Sequence, residues 1–127
     1  MVNRTRERAQ ALQQKFGDRV HVAGWDETTG LLGGAGLLVN TTTLGMVGQP
    51  PLAINLRGPA SLVVADLVYA PLETGLLAAA RAKGLRTADG LGMLLHQAVR
   101  GFELWFGLRP QVTPELRQLV EADLAKK

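Results

Sequence analysis

The sequence contains no cysteine, which excludes disulfides and thiolate metal sites. Aromatic residues make up only 5% of it and the net charge is a mild +3, so we expect no nucleic-acid binding. No apolar run approaches the ~20 residues that a membrane helix needs, so we expect no membrane association. These absences fit a cytoplasmic protein.

Catalytic motifs are also absent. There is no G-x-S-x-G motif and no cysteine nucleophile, and the two histidines, His21 and His96, have no metal-ligating partner near them in sequence. The lysines lie at helix ends or in the tail, where lysine is usually solvated. From the residues alone we therefore expect no catalytic residue and no metal site.

The 127 residues, 46% hydrophobic and 20% charged, suffice for one domain with a core. Helical and strand-like patterns alternate, which predicts an α/β fold with a mainly parallel sheet flanked by helices, and with two helices at the carboxyl end. The predicted strands are residues 19–25, 37–39, 62–69 and 85–88. Two predicted helices follow the caps Thr5 and Thr113, another begins at Thr74 or Glu73, and a fourth spans residues 91–106; a short helical turn is predicted over 26–32.

Two details of burial follow from these patterns. The continuous apolar run Leu37-Leu38-Val39 predicts a strand buried on both faces. Wide apolar stripes predict that the last two helices pack on or beyond one side of the sheet, the final helix through a buried face. Those stripes contain Leu91, Leu94, Leu95, Ala98, Val99, Phe102, Trp105 and Phe106 in the first helix, and Leu116, Leu119, Val120 and Leu124 in the second.

Ligands bind at the carboxyl ends of strands in open α/β sheets, and polar residues follow several of the predicted strands. The first group is the turn "NRTRER", in which arginines surround a helix start. A helix amino terminus favours anions, and arginine forks suit phosphate. Arginine at this turn of a dinucleotide fold accommodates the 2′-phosphate of NADP, although a solvated basic helix start is the alternative.

Further candidates come later in the chain. Asn40 to Thr43 form either a ligand loop or an ordinary polar turn. Tyr69 is either a site residue or a core tyrosine, and Gln97, two helical turns from Gly90, is either a site residue or surface.

Four motifs occur in order across almost the whole chain: "NRTRERAQAL", "LVNTTTLGM", "VVADLVYAPLET" and "ADGLGMLLHQAVRGFELWFGLRP". Together they resemble the carboxyl-terminal half of the shikimate dehydrogenases, with Thr41 in place of the family's usual alanine. The resemblance implies an incomplete Rossmann-like fold. It also implies the family's reaction, the NADPH-dependent reduction of 3-dehydroshikimate to shikimate in the chorismate pathway to aromatic amino acids.

The resemblance also implies roles for individual residues. The 2′-phosphate side of NADP would be held by Asn3, Arg4, Thr5 and Arg8, and Thr42 would line the cofactor cleft. Leu67 and Gly90 would lie by the nicotinamide, and Tyr69 and Gln97 would face a shikimate-like substrate.

Three parts of the family pattern have no counterpart: the amino-terminal substrate domain with its catalytic lysine and aspartate, the first strand, and the glycine-rich loop. We therefore expect residues 1–127 to form a single partial NADP-binding domain that is inactive alone. A homodimer, or a partner that supplies the missing half, would cover the strand edges left unpaired. A non-catalytic nucleotide-binding or partner-binding module, or one half of a split enzyme, is the alternative.

Overall fold

The computed structural model describes residues 1–126. Its helices are α1 (Arg6–Phe16), α2 (Thr28–Leu31), α3 (Gly75–Ala82), α4 (Gly90–Phe106) and α5 (Pro114–Leu124), and its strands are β1 (Leu37–Asn40), β2 (Val63–Asp66) and β3 (Arg86–Ala88). Two 3-10 turns, Gly17–Arg19 and Leu32–Gly34, follow α1 and α2. Within the described part, no helix combines the length and hydrophobicity that crossing a bilayer requires.

The three strands form one parallel sheet in the order β1-β2-β3. Residue Val63 of β2 lies opposite Leu37 of β1 and Arg86 of β3. Away from this sheet, Val2 and Ala23 form a single parallel bridge, in which the Ala23 N–H donates to the Met1 carbonyl at 3.0 Å. The parallel α/β arrangement predicted from the sequence is confirmed.

The core lies where α3 crosses the sheet. Leu76, Leu77 and Ala80 line one face of α3 and are buried with Leu62 and Val64. This spacing of i, i+1 and i+4 is the apolar stripe of a helix that packs on one side only. Thr74 caps the helix by accepting a hydrogen bond from the Leu77 N–H at 3.3 Å, so the predicted start of α3 is confirmed.

The strand predicted over residues 19–25 is wrong. Arg19, the first residue of this predicted strand, belongs to the 3-10 turn Gly17–Arg19. Within residues 1–126, Ala23 is the only residue of the predicted strand that forms a β-bridge. Alternating side chains fit a strand, but a strand is stable only where a neighbouring backbone accepts its hydrogen bonds. Within residues 1–126, the bridge to Val2 is the only such pairing, and in it the Met1 carbonyl accepts from the Ala23 N–H.

The predicted burial of β1 on both faces is also wrong, because Leu37 is 57% exposed and Val39 is 40% exposed. β1 is an edge strand, and the cleft described below lies beside it. The apolar stripes of α4 and α5 are not buried as a whole, since half of their residues are solvent-exposed: Trp105 is 79% exposed, and Leu116 and Leu119 are exposed rather than buried. Within α4, Leu91 is the apolar stripe residue that is buried.

A buried carboxyl group connects the sheet to the loops that follow it. Asp66, at the end of β2, is only 1% exposed. Its Oδ1 accepts hydrogen bonds from Asn40 Nδ2 at 2.9 Å and from the Val68 N–H at 3.0 Å, and its Oδ2 accepts one from the Thr74 hydroxyl at 2.7 Å. A buried carboxyl is costly unless it is hydrogen-bonded, so these three donors are required for the fold.

This dependence predicts that Thr74→Val destabilises the chain strongly. The substitution removes the α3 cap, worth about 1 kcal/mol, and leaves Asp66 Oδ2 without its donor, worth about 1–3 kcal/mol. Urea unfolding should show a loss of about 2–4 kcal/mol in the free energy of unfolding. Thr74→Ser keeps the hydroxyl and should lose clearly less. Equal losses in the two variants would contradict the role assigned to the hydroxyl.

Candidate functional site

A cleft of roughly 690 Å³ separates the amino-terminal segment from β1. Residues 1–5 and Arg8 line one wall, and β1 with the following Thr41 to Thr43 lines the other. The cleft therefore brings together five residues that the sequence pattern assigned to the cofactor: Asn3, Arg4, Thr5, Arg8 and Thr42.

The basic turn on the first wall is ordered by Asn3. Its Oδ1 accepts a hydrogen bond from the Thr5 N–H at 2.9 Å, a turn that Asn commonly forms before a helix. Thr5 occupies the N-cap position of α1, but its side chain makes no capping hydrogen bond. Its prediction as an N-cap is therefore right in position, although the side-chain bond that defines a good cap is absent.

Arg4 and Arg8 are exposed and line the cleft, whereas Arg6, equally exposed, does not. Neither Arg4 nor Arg8 forms an ion pair with a carboxylate anywhere in residues 1–126. Arg4 precedes α1 and Arg8 lies in its first turn, where the free N–H groups and helix dipole also favour an anion. This wall is therefore suited to a phosphate.

Thr42, on the opposite wall, is held by the loop that contains it. Its backbone N–H and its hydroxyl both donate to Asn40 Oδ1, at 3.0 and 2.8 Å, and the hydroxyl accepts from the Leu44 N–H at 3.1 Å. Asn40 in turn donates to Asp66. The hydroxyl is thus occupied within the chain, and Thr42 shapes the cleft more than it offers a free donor.

A second pair of predicted residues, Leu67 and Gly90, lies in contact at the start of α4. A Cβ atom placed on Gly90 would lie 2.3 Å from the Leu67 carbonyl oxygen and 2.7 Å from that of Val68. Only glycine permits this approach of the two backbones. The Val68 N–H bonded to Asp66 fixes the same segment from its other side.

Asp89 caps α4 by accepting hydrogen bonds from the Leu91 and Gly92 N–H groups at 3.1 and 3.3 Å. Arg117 of α5 binds both carboxylate oxygens, at 3.2 and 2.7 Å. Burial raises the pKa of Asp89, but Arg117 and the two N–H groups outweigh burial and hold that pKa below its ordinary value. This ion pair attaches α5 to the end of α4 that contacts Leu67.

The side chains of the remaining two candidates form no hydrogen bond with the other candidates within residues 1–126. Tyr69 lies two residues beyond Leu67 and is partly exposed, and Gln97 lies on the exposed surface of α4. No hydrogen bond links the two side chains within the part of the chain that the structure describes. In the same part, no cluster of three or more metal-ligating side chains occurs.

Asp66 and Arg117 shape the site and were not assigned a role from the sequence, and Thr74 was predicted only as a helix start. Asp66 and Thr74 stand eight residues apart in "ADLVYAPLET", so their spacing within one motif is a usable signal. Arg117 lies 28 residues from Asp89, and no local pattern connects the two.

The parallel sheet and the arginine-lined cleft at a helix start define a Rossmann-like nucleotide-binding fold. Solved structures agree. A quinate dehydrogenase from Corynebacterium glutamicum in complex with NAD has a TM-score of 0.81 at 34% identity, over 95% of this chain and 45% of that one. A shikimate 5-dehydrogenase from Thermus thermophilus in complex with NADP(H) and shikimate has a TM-score of 0.73 at 35% identity, over 98% and 44%.

Sequence comparison is more specific. Residues 90–119 match the model of the shikimate 5′-dehydrogenase C-terminal domain. The chain is 70% identical, over its whole length, to a shikimate dehydrogenase (NADP(+)) of Rhodopseudomonas palustris, and 71% identical, over 98% of its length, to one of Nitrobacter hamburgensis. It belongs to the shikimate dehydrogenase family and matches the carboxyl-terminal part of its members. It spans 46% and 44% of the length of these two relatives.

The contact between Leu67 and Gly90 predicts opposite effects for two glycines of the same helix. Gly90→Ala should lower the free energy of unfolding by about 1–3 kcal/mol, because the new methyl group overlaps the Leu67 carbonyl. Gly92→Ala meets no atom nearer than 4.0 Å, and alanine favours a helix by up to about 1 kcal/mol. Urea unfolding of both variants tests this, and equal stabilities would contradict it.

The Asp89–Arg117 pair predicts a pH-dependent coupling. The side chains are 19% and 32% exposed, so a double-mutant cycle with Asp89→Asn and Arg117→Gln should give about 1 kcal/mol at neutral pH. The pKa of Asp89 is lowered by folding, so this stability is fully present above the carboxyl's unfolded pKa and is lost as pH falls through the lower folded value. Unfolding measured at pH 7 and in acid tests this; a coupling independent of pH contradicts it.

Proposed function

We propose that this chain is the NADP-binding part of an enzyme that reduces 3-dehydroshikimate to shikimate with NADPH, in the chorismate pathway to aromatic amino acids. The observation that carries the proposal is the cleft, which gathers Asn3, Arg4, Thr5, Arg8 and Thr42 beside a helix start. The relatives in the family are NADP(+)-dependent shikimate dehydrogenases.

At the adenosine end, Arg4 and Arg8 hold the 2′-phosphate. Both side chains are free of intrachain ion pairs within residues 1–126, and forked guanidinium donors bind phosphate oxygens in pairs. Asn3 keeps the turn in shape, and the uncapped Thr5 hydroxyl is available as a further donor. No aspartate or glutamate lines the cleft, so a 2′-phosphate meets no repulsion there.

At the other end, Leu67 and Gly90 flank the nicotinamide, and Tyr69 and Gln97 face the substrate. When bound, NADPH supplies the hydride. The chain's own contribution is positional: the Leu67 carbonyl belongs to the peptide whose Val68 N–H donates to Asp66, and Gly90 lies against that carbonyl. The exposure of Tyr69 and Gln97 leaves both polar groups accessible to a substrate hydroxyl.

Catalysis requires residues beyond these. The family's lysine and aspartate belong to an amino-terminal domain, and the chain spans about half of its relatives' length. We therefore propose that residues 1–127 form a partial cytoplasmic NADP-binding domain, inactive alone, that works with a segment providing those two residues.

A non-catalytic nucleotide-binding module is the second candidate. It is favoured by the lining of the cleft, which contains no lysine, histidine or carboxylate to exchange a proton. Both candidate functions require nucleotide binding. If the chain is part of the enzyme, adding the amino-terminal part of a relative should give shikimate oxidation; if it is a non-catalytic module, it should not.

The phosphate role predicts saturable binding of adenosine 2′,5′-bisphosphate to the chain. Arg4→Gln should weaken binding by about tenfold or more, because a charge-assisted hydrogen bond contributes about 1.5–3 kcal/mol. Arg6→Gln is the matched control, since it removes the same charge from the same turn but not from the cleft. Isothermal titration calorimetry measures both. Absence of binding by the parent chain, or equal losses in both variants, would refute the proposed site.

A further inference from the structure

Methionine occurs three times in the chain, and all three side chains are exposed: Met1 by 47%, Met46 by 41% and Met93 by 37%. The proposed function assigns no role to any of them. Met93 lies in the first turn of α4, whose first residue, Gly90, contacts Leu67. Chemistry at Met93 therefore takes place one helical turn from the proposed nicotinamide position.

The spacing of α4 places Met93 between two residues of the proposed site. Residues three and four apart are neighbours on one face of a helix, so Gly90, Met93 and Gln97 form one stripe. Side chains in a helix lean toward its amino terminus and cover the preceding turn. The thioether of Met93 therefore extends toward Gly90, which has no side chain of its own to cover that turn.

A thioether at this position suits an aromatic cofactor ring and is also open to oxidation. Methionine sulfur is polarizable and packs favourably against aromatic rings. Oxidation to the sulfoxide makes the same side chain polar, and burying a polar group without a hydrogen-bond partner is unfavourable. A nicotinamide that packs on Met93 is therefore bound less tightly once the sulfur carries an oxygen.

We propose that Met93 is an oxidation site: peroxide converts its thioether to the sulfoxide, which weakens nicotinamide binding, and bound NADP⁺ shields it. This inference rests on the proposed function, because that function places the nicotinamide beside Gly90.

The reaction requires hydrogen peroxide alone. The sulfur lone pair attacks one peroxide oxygen, so that an S–O bond forms as the O–O bond breaks. The departing hydroxide takes the proton of the transferred oxygen and leaves as water. Sulfur loses two electrons, and these electrons reduce the peroxide.

Shielding is measured by treating the chain with hydrogen peroxide and following the sulfoxide at each methionine by peptide mass spectrometry. We expect saturating NADP⁺ to slow the oxidation of Met93 by about fivefold or more, because oxidation follows exposure, and to leave Met46 unaffected. Adenosine 2′,5′-bisphosphate should not slow the oxidation of Met93, because it lacks the nicotinamide. Equal rates at Met93 with and without NADP⁺ overturn the proposal.

The effect on affinity is measured by titrating NADP⁺ before and after peroxide treatment. Oxidation should weaken NADP⁺ binding by about tenfold, and methionine sulfoxide reductases should restore it. An unchanged affinity for the bisphosphate verifies that the oxidised chain remains folded.

Two variants assign the effect to one sulfur. Met93→Leu, compared with its own untreated form, should lose no affinity on treatment, because leucine has no sulfur to oxidise. Met46→Leu is the matched control: it keeps Met93 and should lose as much affinity as the parent chain. A loss that persists in Met93→Leu overturns the proposal, because it assigns the effect to another residue.

The outcomes separate this inference from the proposed function. Bisphosphate binding without shielding of Met93 by NADP⁺ rejects the oxidation site alone. Shielding of Met93 without bisphosphate binding rejects the phosphate site alone, and the absence of both rejects both.

Discussion

The buried carboxyl group of Asp66 is the interaction on which the rest of the structure depends. It joins three stretches of chain: the end of β1 through Asn40, which is 26 residues away in sequence, the exit of β2 through Val68, and the start of α3 through Thr74. A carboxyl without hydrogen-bond donors is costly to bury. The folded positions of these three stretches therefore depend on one another.

That dependence explains how one small sheet positions both ends of the proposed nucleotide site. Asn40 holds Thr42 on the cleft wall opposite the arginines, and the Val68 N–H holds the peptide that follows Leu67. The proposed 2′-phosphate and nicotinamide positions are therefore connected through Asp66 rather than through a direct contact. Arg117 adds a separate attachment, from α5 to the cap of α4.

The parts of the fold that local chemistry determines were predictable. Thr74 and Thr113 each cap the helix predicted to follow, because capping depends on residues three apart. Burial was not predictable, because it depends on neighbours that a pattern does not specify: Val39 and Trp105 are exposed although their runs are apolar.

The candidate site was predictable only in part, and through resemblance. Five of the seven residues assigned to the cofactor line one cleft, whereas Leu67 and Gly90 lie elsewhere, and the individual roles of all seven are still predictions. The role of Arg117 could not be predicted, because its partner, Asp89, is 28 residues away in sequence and no local pattern relates the two residues. The strand over residues 19–25 failed for a similar reason, since alternation carries no information about whether a second backbone is present to pair with.

The central claim is that the turn before α1 and the loop after β1 together bind the phosphorylated adenosine end of NADP. Amide chemical-shift mapping by NMR during titration with adenosine 2′,5′-bisphosphate tests it most directly. The account predicts saturating shifts at Asn3, Arg4, Thr5, Arg8 and Thr42, and no shifts along α5. Shifts confined to other surfaces, or none at saturating ligand, would contradict it.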